Sequence, residues 1–98
     1  MNMQAIMRQA QQMQKDMLKA KEEINNSVFT GESSLVKVEV NGKKEFLKVN
    51  ILSQELEADD LEILGDMVVV ALNDAFSKVD KMTKEKMGKF GAGLDGLI

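Results

Sequence analysis

Charge is where this sequence could do chemistry. In residues 1–21, Arg8, Lys15, Lys19 and Lys21 stand against the single acid Asp16. In residues 78–89, Lys78, Lys81, Lys84, Lys86 and Lys89 stand against Asp80 and Glu85. Residues 53–77 carry Glu55, Glu57, Asp59, Asp60, Glu62, Asp66 and Asp74 and no base. The local balances are therefore +3, +3 and −7 inside a chain of net charge −3. Segregation of this kind lets a negative protein present positive prongs to a polyanion while its acidic segment faces away. Taken alone, the same lysines also read as solvated helix faces and helix-end charges.

Other chemistries are poorly served. The chain has no Cys and no His. Thiol nucleophiles, disulfides, Cys/His zinc sites and an imidazole base are thereby removed. Ser27, Ser33, Ser34, Ser53 and Ser77 have no His partner, and no G-x-S-x-G elbow occurs. Glu57, Asp59, Asp60 and Glu62 lack calcium-loop spacing and stand where helix-start acids belong. Gly91, Gly93 and Gly96 match G-x-G-x-x-G in spacing, but a helix rather than a strand precedes them and the sequence ends two residues later. No P-loop pattern is present. Without Trp or Tyr, and with four Phe, there is no base-stacking platform. The expectation is a non-enzyme with no metal, no cofactor and no small-molecule substrate.

The elements that must position these charges follow from hydrophobic period. Met3, Ile6, Ala10, Met13, Met17, Ala20 and Ile24 alternate in steps of three and four, a heptad seam that predicts a helix from Met3 to about Asn26. The period then switches to two. Val36, Val38 and Val40 share one face of a strand, and Leu47, Val49 and Ile51 share one face of a second. Asn41-Gly42 between them predicts a type I′ hairpin with positive φ at both residues. Val28-Phe29-Thr30 is a candidate third, shorter strand before a turn at Gly31. Leu61, Leu64, Val68, Ala71, Leu72, Ala75, Val79 and Met82 then form a second helical stripe. Gly65 within it suggests a close backbone approach, and Gly88 is the expected stop.

The expected class is α+β: two long helices around a small antiparallel sheet, in one domain over residues 1–90, with a flexible Gly-rich tail at 91–98. The N-terminus lacks a signal-peptide pattern. The longest apolar run, Met67–Leu72, is far short of the roughly 20 residues a membrane span needs. A soluble, cytoplasmic protein is expected. Helices of about 35–40 Å overhang a sheet this small. The Met-rich seam, above all Met3, Ile6, Ala10, Met13 and Met17, is then expected to be covered by a second copy, most simply in a two-fold dimer. The plainer alternative is that the two helices cover each other within one subunit.

Several stretches carry a resemblance in the right order. They are Met7–Lys15 with its run of Gln, Thr30-Gly31-Glu32, Leu35–Gly42, Leu72-Asn73-Asp74-Ala75 and Glu85-Lys86-Met87-Gly88. Over residues 3 to about 89 the chain resembles the YbaB/EbfC family of bacterial nucleoid-associated proteins. The resemblance implies an α-β-β-β-α protomer, a tweezer-shaped homodimer, a nucleoid-associated cytoplasmic location, and projecting helices that grip duplex DNA. Two departures are visible: Ser33-Ser34 replaces a Gly-rich run, and Glu57-Ala58 replaces an Asp-Pro before the last helix.

Two functions are carried forward. In the first, a homodimer binds duplex DNA through phosphate contacts from Arg8, Lys15 and Lys19 of the first helix and Lys78, Lys81, Lys84 and Lys86 of the last, with a chromosome-organising or gene-regulatory role. Such contacts position a protein and carry little sequence information. In the second, the Met-lined seam captures a helix of a partner protein.

Overall fold

The computed structural model describes residues 2–53 and 55–90; the expected tail at 91–98, with its Gly91, Gly93 and Gly96 spacing, lies outside the described residues. The element order is helix α1 (Met3–Asn26), strands β1 (Val28–Ser33), β2 (Val36–Asn41) and β3 (Phe46–Ile51), helix α2 (Ala58–Met87) and a 3-10 turn η1 (Gly88–Phe90). This is the expected α-β-β-β-α order. The strands form one antiparallel sheet in the order β1-β2-β3.

Local chemistry sets the helix limits. The Asn2 side chain accepts from the Gln4 amide at 3.0 Å and starts α1. The Asp60 carboxylate accepts from the Glu57 amide at 3.1 Å and starts α2. Gly88 ends α2 with right-handed backbone, φ −60°, instead of the left-handed cap expected of a terminal glycine. The chain therefore tightens into η1 and carries Phe90 back against α1.

Valines at 36, 38 and 40 are fully buried beneath Ala71, Ala75 and Val79 of α2. This is the inward face of β2; Lys37 and Glu39 take the other face, as the alternation requires. The helix lies this close because β1 offers Gly31 at the crossing. A Cβ there would meet the Ala71 carbonyl oxygen and come within 2.6 Å of the Ala75 nitrogen. Gly31 is therefore not the turn that the sequence suggested. It lies inside a six-residue strand, and the turn falls at Ser34-Leu35, with Ser34 at φ 43°. At Gly65 no close approach occurs within the protomer: beyond the local helix backbone, nothing lies within 4 Å of a Cβ built there.

The β2–β3 connection also departs from type I′. The left-handed residue is Lys44, φ 63°. The Lys44 amide donates to the Asn41 carbonyl at 3.0 Å, and the Asn41 side chain accepts from the Lys43 and Glu45 amides at 2.9 and 3.0 Å. This is a three-residue loop closed by an αL residue, fastened by an Asn that serves as an acceptor and not as a positive-φ residue. A register shift leaves Leu47 as an extra residue of β3.

A second core joins Ala20 and Ile24 of α1 to Met87, with Met17, Met82 and Phe90 packed around it. These contacts run α1 antiparallel to the last third of α2. The radius of gyration is 19.2 Å and the long axis 71 Å, against about 13 Å for the radius of a compact chain of this length. The fold is thus a sheet end and a two-helix arm.

Candidate nucleic-acid interface

Helical geometry decides where the arm's charges point. Arg8, Lys15 and Lys19 fall within about 40° of arc and about 17 Å of rise on α1. They face away from the seam residues Met17, Ala20 and Ile24 that dock on α2. On α2, Lys81 and Lys84 lie roughly opposite the core-facing Ala75 and Val79 by the same arithmetic. All five basic side chains are exposed. None takes part in an ion pair or a side-chain hydrogen bond among the described residues.

Lys78 and Lys86 are placed differently. The Lys78 ammonium donates to the Thr30 carbonyl at 2.7 Å and lies 3.4 Å from the Asp74 carboxylate, tying α2 to β1. The Lys86 ammonium donates to the Glu23 carboxylate at 2.9 Å, tying the tip of α2 to α1. That bond, reinforced by the Lys86 charge, holds the Glu23 carboxyl below its ordinary value of 4.5. Pairs this exposed are weak, so both ammoniums remain exchangeable for an external anion.

The seam divides. Met17 is half-buried in the second core, so the in-chain alternative accounts for the C-terminal part of the heptad. Met3 (71% exposed), Ile6, Ala10 and Met13 remain open beyond it. Apolar side chains are also open at the other end. Val49 pairs opposite Val38 and Ile51 opposite Val36, so both share the buried valine face. Yet Val49 is 45% and Ile51 48% exposed, because α2 covers β1 and β2 and stops short of β3. Leu61, Ile63, Val69 and Val70 of α2 are exposed as well.

Sequence reading missed a further set of cations. Lys21, Lys43 and Lys44 line a notch of about 360 Å³ between the end of α1, the β2–β3 loop and α2. Adjacent lysines after Asn41-Gly42 were the available signal. Among the described residues, no group of three or more acidic side chains is arranged to hold a metal ion. No helix among them is long and apolar enough to cross a membrane.

Comparison with known proteins adds independent information. The sequence pattern described as the YbaB/EbfC DNA-binding family matches residues 1–94. A nucleoid-associated protein of Lactococcus lactis subsp. cremoris (strain MG1363) is 46% identical over 96% of this chain and 97% of its own. One from Ligilactobacillus salivarius is 40% identical over 99% of this chain and 95% of its own. The crystal structure of an uncharacterized Helicobacter pylori protein superposes with a TM-score of 0.69 at 23% identity, covering 93% of this chain and 99% of that one; this likeness concerns the fold.

Proposed function

This chain belongs to the YbaB/EbfC DNA-binding family, which is not an enzyme family, and on that premise we propose that it is a nucleoid-associated homodimer gripping duplex DNA through backbone phosphates. The observation that carries the reading is the pair of outward basic rows, Arg8-Lys15-Lys19 on α1 and Lys81-Lys84 on α2. Both are exposed and unpaired among the described residues. Lysine and arginine on phosphates release counterions, so affinity falls steeply with salt. Lysines dominate the set and Arg8 alone has the fork to read guanine bidentately, so sequence preference is weak. Lys78 and Lys86 join the surface by leaving Asp74 and Glu23. The working location is the bacterial nucleoid, hence the cytoplasm, and the role is chromosome organisation or gene regulation.

Dimerisation is assigned to the sheet end. Val49 and Ile51 leave one edge of the buried valine face uncovered, on an edge strand whose outer hydrogen-bonding groups are open. A two-fold partner there leaves both arms projecting, which is the tweezer arrangement. The open Met3, Ile6 and Met13 support a second reading, in which a partner helix lies along α1.

The test is fluorescence anisotropy with labelled duplex across a salt series, alongside sedimentation. A steep log–log salt slope, lost in the K81E/K84E variant of unchanged mass, supports the arms. Unchanged affinity in that variant sinks them. V49K is expected to yield monomers, whereas monomers from M13K alone would move the interface to α1.

A further inference from the structure

The notch at the base of the arm gathers Lys21, Gly42, Lys43, Lys44, Asp80 and Thr83 from three elements. Three lysines and one carboxylate line it. Asp80 is already engaged, 2.9 Å from the Lys44 ammonium, so the notch keeps a net positive charge. Its walls are fixed. A Cβ on Gly42 would meet the Ile24 carbonyl oxygen and come within 2.9 Å of the Asn25 nitrogen, so only glycine lets the loop sit against the end of α1. The Asn41 side chain pins the Lys43 amide at 2.9 Å.

Lys44 supplies a second, independent indication. It holds φ 63°, a conformation that glycine or asparagine adopts at lower cost. Backbone strain of this kind concentrates where the side chain serves a function. Here the strained residue aims its ammonium along α2, 5.8 Å from the Phe76 ring and onto Asp80. Lys84 follows Asp80 by one helical turn and is exposed, so the notch continues the basic row of α2 toward the sheet.

We propose that Lys21, Lys43 and Lys44 form a further phosphate-contacting station, at which the backbone of a bound duplex is held at the base of the arm. The proposal rests on the DNA-binding reading above. Duplex phosphate displaces Asp80 from Lys44, which makes Asp80 a competitor for the site.

The test uses the full chain and a duplex of about 20 base pairs, with anisotropy across a salt series and backbone amide NMR. K43Q/K44G is expected to stay folded, because glycine suits the backbone at position 44. It should lower the salt slope by about 0.9, the loss of one phosphate contact. D80N is expected to bind severalfold more tightly, a gain that a purely structural Lys44 would not produce. The Lys43 and Lys44 amides should shift when duplex is added to the wild type. Wild-type slope and affinity in K43Q/K44G, with binding lost in K81E/K84E, would overturn the notch and leave the arms standing. Amide shifts with inorganic phosphate but none with duplex would overturn it in favour of a small-anion site. Absence of any wild-type binding would overturn both readings together.

Discussion

The two halves of α2 share an amphipathic repeat but are covered to different depths. From Ala71 onward the apolar stripe is used: Ala71, Ala75 and Val79 close over the β2 valines, and Met87 closes over α1. Before it, Leu64, Met67 and Val68 are only partly buried against the same core, Leu61, Ile63, Val69 and Val70 are exposed, and a Cβ added at Gly65 would meet no other element. Charge divides the same way, with Asp59 and Asp60 in the first turn and Lys84 and Lys86 in the last. An apolar period states which face of a helix seeks cover, whereas the supply of cover depends on how far the rest of the chain reaches. Here strands β1 and β2 and the last third of α1 cover α2 fully only from Ala71 onward. The exposed apolar side chains of the first half are suited to a like surface, and the second half, with its basic outer face, to a polyanion.

The sharpest way to break this division is at Gly31. Gly31→Ala sets a methyl against backbone atoms that cannot swing aside, and is expected to cost about 3 kcal/mol. The melting temperature should fall by about 15 °C, read by circular dichroism. A variant that melts like the wild type would show that α2 is not seated on β1 as described. Next in size is the K81E/K84E exchange, expected to weaken DNA binding at least tenfold, about 1.4 kcal/mol, with an unchanged melting curve. Gly65→Ala probes the open half. A methyl there meets nothing and improves helix propensity, so a gain of about 1 kcal/mol is expected. Loss of the dimer in that variant would instead reveal that the partner's backbone approaches at Gly65.

The smallest effect concerns the arm junction. Glu23 is held below 4.5 by Lys86 in the folded chain. Its contribution is therefore complete above the unfolded glutamate value and is lost as pH falls through the lower folded value. Melts of wild type and E23Q should differ by a small constant amount at pH 5–7 and converge in acid. A difference that grows in acid would reverse the assignment.

Most of the fold was legible because each element has its own period, and period is local. The switch from heptad to alternation placed α1, β2 and β3, and the acidic start and basic end of α2 marked its limits. The failures came where one residue type serves two ends. Gly31 looks the same whether a glycine is wanted for a turn or for close approach, and only the helix above it distinguishes them. Asn41-Gly42 announced a hairpin correctly, but the positive φ fell on Lys44 because the Asn side chain took the loop amides. The candidate interface was legible in part. Arg8, Lys15 and Lys19 follow from helical spacing, and so do Lys81 and Lys84. The pairing of Lys78 with Asp74 and the Thr30 carbonyl, and the meeting of Lys21 with Lys43 and Lys44, depend on tertiary contact. So does the division of the Met seam, which Phe90 covers only as far as η1 carries it.

α2 joins the sheet end to the arm without a proline or a recorded break over 30 residues, a rod of about 45 Å. Such a rod behaves as a lever with its fulcrum at Gly31. Gly31 meets α2 at Ala71 and Ala75, about 20 Å short of the far tip, so a tilt of about 10° there carries that tip through about 4 Å. In the proposed dimer, the opening between two arms, and with it the girth of nucleic acid they would admit, is therefore set by the packing of a few small side chains where α2 crosses the sheet.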